Sequence, residues 1–144
     1  MIIGIIGSGG REHAICKKIS ESPLVSKIYC IPGNAGTKLI AENISIQIND
    51  FEKIKKISIE KKIELLIIGP EKPLVDGISD YFKDTNIKIF GPNKISSKLE
   101  GSKTFTKKIC ERNKIPTAKF GIFKNTKICS RNVIFFTNFF CKNF

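Results

Sequence analysis

The feature that most restricts this chain is a short apolar run that ends in glycine and recurs. Residues 2–6 are Ile-Ile-Gly-Ile-Ile followed by Gly7, and residues 65–68 are Leu-Leu-Ile-Ile followed by Gly69. A run without polar alternation, bounded by turn residues, fits a strand covered on both faces of a parallel sheet. Helix-length amphipathic segments separate such runs. Residues 11–20 put Ala14, Ile15 and Ile19 on one side and Lys17 and Lys18 on the other, and Ser22-Pro23 closes the segment. Asp50 stands where it can cap a helix that turns Phe51, Ile54, Ile57 and Ile59 inward.

The remaining segments continue the alternation. Residues 27–31 read as a second strand, the alternating Ile44, Ile46 and Ile48 as a third, half-exposed one, residues 74–84 as a helix and residues 88–90 as a last strand before Gly91-Pro92. Residues 93–113 read as helix with a break near Gly101. Strands alternating with helices imply right-handed crossovers, so the expected fold is α/β, a Rossmann-like, doubly wound, mainly parallel sheet. Ligands of such sheets bind outside the carboxyl ends of the strands.

Composition narrows the function classes. The net charge of +12 over 144 residues suggests a nucleic-acid partner, with basic residues and Phe interleaved in the tail. Its distribution argues otherwise: residues 1–101 hold 15 basic and 12 acidic residues, a net +3, and residues 102–144 hold the other +9. The expectation is therefore no nucleic acid, and also no membrane, because no run reaches the 18 or so apolar residues of a spanning helix. Five cysteines without a Cys-x-x-Cys pair read as reduced thiols, and no leader is recognisable, so the expected location is cytoplasmic. With a single histidine, His13, nothing resembles a triad, and no clustered Cys/His set suggests zinc. In the first turn of its helix His13 reads as a capping or packing residue rather than a catalyst.

Three loops fall at carboxyl ends of strands. Gly7-Ser8-Gly9-Gly10-Arg11-Glu12 joins a buried strand to a helix, where glycines let backbone amides approach an anion and the helix N-terminus adds partial positive charge. Ser8 and Arg11 supply further donors; the plain alternative is a tight turn that binds nothing. A dinucleotide fingerprint is disfavoured, because Glu12 stands where the third glycine belongs and no acid follows the second strand. The loop Pro32-Gly33-Asn34-Ala35-Gly36-Thr37 follows that strand. In Gly69-Pro70-Glu71-Lys72-Pro73, Glu71 is held on a backbone stiffened by two prolines, where its carboxylate can accept two ribose hydroxyls or else remain a surface acid in a turn.

Together these motifs resemble phosphoribosylamine-glycine ligase, also called glycinamide ribonucleotide synthetase. The resemblance is carried by residues 6–14, 32–37, 69–77 and 99–107, the last being Leu-Glu-Gly-Ser-Lys-Thr-Phe-Thr-Lys, and covers residues 1 to about 120. It implies an ATP-dependent ligase that joins 5-phosphoribosylamine to glycine through a glycyl phosphate, in purine synthesis, with ATP and Mg2+ as cofactors. Gly7, Ser8, Gly9, Gly10 and Arg11 would then hold the 5-phosphate and Glu71 the ribose hydroxyls, with Asn34 lining the same cleft. Lys103, by analogy with related ATP-grasp enzymes, would approach the nucleotide phosphates.

The resemblance also sets the expected domains: residues 1–101 as the substrate-binding α/β domain, 102–123 as linker and start of an ATP-grasp domain, and 124–144 as a tail foreign to the family. That tail has no acid, five Phe and no helical or strand period, and is expected to be out-of-frame or otherwise unselected sequence. Its apolar stretch, residues 133–140, reads as an aggregation hazard. On this reading the chain is a truncated ligase, inactive alone, whose missing core would come from a separate chain. The alternative is a stand-alone module that binds a sugar phosphate or nucleotide without catalysis.

Overall fold

A computed structural model describes residues 1–121 of the chain. Its strands are β1 (Ile2–Gly7), β2 (Lys27–Pro32), β3 (Glu42–Asn43), β4 (Leu65–Ile68) and β5 (Lys88–Phe90), all parallel, in the order β3-β2-β1-β4-β5. The expected α/β doubly wound sheet is therefore present. The described residues fall into two compact units. The first, Met1–Ser97, holds the whole sheet, and the second begins at Lys98.

Central β1 pairs with β2 on one side and β4 on the other, Ile5 lying opposite both Cys30 and Ile67. Both faces are covered, which is why the run is uniformly apolar. On one face Ile6, Ile31 and Leu66 meet Ile54, Ile78 and Phe82; on the other Ile3, Ile5, Ile28 and Ile67 meet Cys16. Each fully buried Ile or Phe contributes about 1.5–3 kcal/mol. Helix α1 (Gly10–Ser20) follows β1, and α2 (Phe51–Glu60) starts at Asp50, whose Oδ1 accepts the Lys53 N–H at 3.1 Å as the capping pattern requires.

Three expectations are corrected. Ile59, expected on the inward face of α2, is 57% exposed, because the buried stripe of that helix runs through Ile54 and Ser58. Ile44, Ile46 and Ile48 are not a strand: β3 is only Glu42–Asn43, and the Ile44 N–H makes one further bond to the Cys30 carbonyl at 2.9 Å. The Ile46 N–H then donates to the Ile44 carbonyl at 2.8 Å, which turns the chain off the sheet edge. The alternation records packing, since all three isoleucines lie partly buried on the larger core cluster. The helix expected over residues 74–84 starts earlier and breaks. It forms α3 (Glu71–Asp76) and α4 (Ile78–Tyr81), separated by Gly77 at φ +104°, a left-handed conformation that closes α3 through N–H bonds to Pro73 and Leu74 carbonyls.

Around Gly101 the expected break is found, between α5 (Lys94–Gly101) and α6 (Lys103–Arg112). Cys16, Cys30 and Cys110 are free thiols. Among the described residues no helix is long and apolar enough to cross a membrane. Residues 124–144, expected to be foreign to the family, with their apolar stretch 133–140 and with Cys129 and Cys141, lie outside the described residues.

Candidate functional site

The strand order reverses direction at β1, whose neighbours β2 and β4 lead to opposite edges of the sheet. The loops after β1 and β4 therefore part at their carboxyl ends and leave the crevice in which doubly wound sheets take ligands. The loop after β2 closes its flank. The Gly33 N–H donates to the Gly7 carbonyl at 3.1 Å and the Gly69 N–H to the Ile6 carbonyl at 3.0 Å, so backbone bonds fasten all three loops to one another.

Ser8, Gly9 and Gly10 are exposed at the rim, at the start of α1. The first N–H groups of a helix have no intrahelical acceptor, which leaves those of Gly10 and Arg11 directed at the crevice mouth. Arg11 is two-thirds exposed, and its Nη2 donates to Glu71 Oε1 at 3.1 Å. This pair straddles the switch point, one residue following β1 and the other β4. Glu71 is not on a free loop as the two prolines suggested. It is the first residue of α3, capped by Pro70 in extended conformation (φ −80°, ψ 150°), which fixes its backbone more firmly than a turn would.

Asn34 reaches across from the loop after β2. Its Nδ2 donates to the Ser8 carbonyl at 2.9 Å and the Gly9 carbonyl at 3.2 Å, which pins the anion loop from the side. Asn34 is in turn held by Thr37, a fully buried residue whose Oγ1 accepts the Asn34 N–H at 2.7 Å and donates to Asn43 Oδ1 at 2.8 Å. Asn43 Nδ2 returns a bond to the Asn34 carbonyl at 2.7 Å. The His13 imidazole lies against Gly36 in the same loop, a packing position.

Seven of the eight residues singled out from the sequence, Gly7 to Arg11 with Asn34 and Glu71, thus stand together. Lys103 belongs to the second unit, at the first position of α6, where the Ser102 hydroxyl caps the helix by accepting the Phe105 N–H at 3.3 Å. Three residues that organise the crevice were not found by sequence reasoning: Glu12, Thr37 and Asn43. Glu12 is 3% exposed, and its Oε2 accepts the Gly9 N–H at 2.6 Å. Its spacing, three residues after the helix-capping position, is the available signal.

Nucleophilic chemistry finds no support in the two buried thiols, Cys16 and Cys30. Burial pushes Cys30 up to about 12 and also raises Cys16, so both stay protonated. Two open hollows, of about 650 Å³ beside β3 and about 550 Å³ at the amino ends of β1 and β4, lie away from the crevice. Neither is bordered by a glycine loop or a helix N-terminus.

Residues 1–100 match the family described as phosphoribosylglycinamide synthetase, N domain. A phosphoribosylamine–glycine ligase of Caldanaerobacter subterraneus subsp. tengcongensis is 49% identical over 123 residues, 85% of this chain and 30% of that protein. The Haemophilus influenzae protein of the same name is 50% identical over 125 residues, 85% of this chain and 29% of its own length. A crystal structure of phosphoribosylamine–glycine ligase from Thermotoga maritima matches with a TM-score of 0.66 at 30% identity, covering 93% of this chain and 30% of that one. The chain thus spans about 30% of the length of the curated relatives it matches.

Proposed function

The chain belongs to the phosphoribosylglycinamide synthetase N-domain family, and from that membership we propose that its crevice binds the ribose phosphate portion of 5-phosphoribosylamine for ATP-dependent joining to glycine. The observation that carries the reading is the Arg11–Glu71 pair across the switch point, a cation and an acid 3.1 Å apart at the mouth of a glycine loop. The α1 N-terminus and Arg11 would take the phosphate, whose charge suits free N–H groups and a guanidinium. Glu71 would turn to the vicinal hydroxyls of the ribose, and Asn34 would keep the anion loop in place.

ATP with magnesium, when bound, supplies the phosphoryl group that activates the carboxyl partner of such a ligation. Among the described residues no three His, Cys, Asp or Glu side chains cluster to hold a metal ion. No magnesium ligands are therefore assigned and no step is routed through the ion. Lys103 is the residue we assign to the nucleotide phosphates, as a single cation opening a capped helix. The 144 residues are expected to bind substrate without forming product, and a polypeptide carrying the remaining family length to restore catalysis on mixing. The same reading places the protein in the cytoplasm.

Ribose 5-phosphate tests the assignment. At millimolar concentration it should raise the Tm of the chain, and Glu71→Ala or Gly9→Ala should remove most of the shift. No shift in the wild-type chain would refute the reading.

A further inference from the structure

Glu12 combines features that its role as a helix cap does not by itself account for. It is 3% exposed, yet Oε1 is shut away from solvent without a hydrogen-bond partner. An enclosed acceptor left unsatisfied costs free energy, and an apolar side chain of similar length would avoid that cost. What an apolar residue could not do is accept the Gly9 N–H, which Oε2 does at 2.6 Å. The surroundings are moulded to this side chain. A Cβ at Gly7 would come within 2.6 Å of Glu12 Cγ, one at Gly9 within 2.8 Å of Oε2, and one at Gly69 within 2.6 Å of Cδ, all closer than the 3.0 Å that Cβ atoms keep. Gly7 ends β1 and Gly69 directly follows β4, so the side chain lies between the carboxyl ends of the two strands.

We propose that Glu12 is a positioning residue for the sugar-phosphate site. The length of its side chain sets the spacing between the anion loop and the start of α3, and hence the separation of the phosphate point from the hydroxyl point at Glu71. This rests on the reading under Proposed function. A ligand held at two points depends on that spacing, whereas inorganic phosphate, held at one, does not. The ratio of the two affinities therefore reports spacing, and a loss of stability alone leaves it unchanged.

Calorimetric titration of the full 144-residue chain with ribose 5-phosphate and with inorganic phosphate decides the matter. Glu12→Gln keeps the length and the acceptor for Gly9, and should hold the affinity ratio within about threefold. Glu12→Asp withdraws the group by one methylene and should lower the ratio at least about tenfold. Gly69→Ala, whose Cβ would come within 2.6 Å of both Cγ and Cδ of Glu12, should also lower it. An unchanged ratio in folded Glu12→Asp overturns the inference, as does a Gln variant that loses the ratio. If Glu12→Asp does not fold, the Gln and Gly69→Ala variants decide alone: Gln must keep the ratio and Ala must lower it. A wild-type chain that binds no ribose 5-phosphate overturns the functional reading and this inference with it. Binding by wild type with an insensitive ratio overturns this inference only.

Discussion

At each end of the sheet an acid joins the neighbourhood of β1 to that of β4, in opposite surroundings. At the amino end, Glu64 Oε1 accepts the Ile2 N–H at 2.8 Å and lies 3.9 Å from the Met1 ammonium, with 57% of its side chain exposed. At the carboxyl end, Glu12 accepts the Gly9 N–H at a similar distance but is 3% exposed and enclosed by glycines. Water can replace the first acid's contacts and cannot reach the second's. The same bond is thus a dispensable clip at one end and a fixed spacer at the other, and the fixed end is the one that faces the crevice.

The comparison breaks first, if it is wrong, at Gly69. Gly69→Ala drives a Cβ into the Glu12 carboxyl, a side chain already enclosed against Gly7 and Gly9, and should destabilise by about 1–3 kcal/mol as overpacking does. That corresponds to a fall in Tm of several degrees on thermal denaturation; a Tm within a degree of wild type would show that Glu12 moves aside freely. Next in size is Thr37→Val, nearly the same shape without the hydroxyl. It strands the Asn34 N–H and Asn43 Oδ1 in a buried place and should cost about 1–2 kcal/mol, with increased protease sensitivity of the loop after β2.

The sheet was legible in the sequence because its signal is local: the uniformly apolar residues 2–6 and 65–68 leave few alternatives to two-sided burial. The grouping of seven candidate residues at the strands' carboxyl ends was legible for a related reason, since glycines, prolines and a following helix mark a loop at a strand's end. What was not legible depends on contacts between distant segments. Ile44, Ile46 and Ile48 alternate as a strand does, but a bond from Ile46 back to Ile44 and a nearby core claim them instead. Glu71 looked like a loop residue because prolines usually interrupt helices, whereas Pro70 and Pro73 sit in the cap and first turn of α3, where a missing N–H removes nothing. Glu12 read as the absence of a glycine. Only the approach of Gly69, from the far side of the second strand in sequence, shows that its side chain occupies the space the motif's glycines leave.

A smaller effect on stability, but a selective one on binding, is expected at Arg11. The pair with Glu71 is exposed on both sides, so Arg11→Ala should change folding stability by less than about 1 kcal/mol. Its loss to the phosphate should be at least about tenfold in ribose 5-phosphate affinity, since a charge-assisted bond is removed. A variant that loses stability and keeps affinity would place Arg11 in the structural class with Glu64 and not at the ligand.

The least effect belongs to the exposed clips of the amino end, and pH tells them from the carboxyl-end spacer. On the edge strand β3, Glu42 bridges to Lys27 at the start of β2 at 3.0 Å, and the hydrogen bond from Lys27 holds its carboxyl below the ordinary range. A depressed folded-state pKa means that the contribution is complete above the unfolded-state value and is lost as the pH falls through the lower, folded one. Glu42→Gln should therefore differ slightly from wild type in Tm near neutral pH, and the two curves should converge on acidification past the ordinary carboxylate range. Added salt should shrink the neutral-pH difference, because both side chains are about half exposed. Gly69→Ala relies on steric overlap, and its deficit should persist at high salt. A Gly69→Ala deficit that salt erased would make the two ends of the sheet alike.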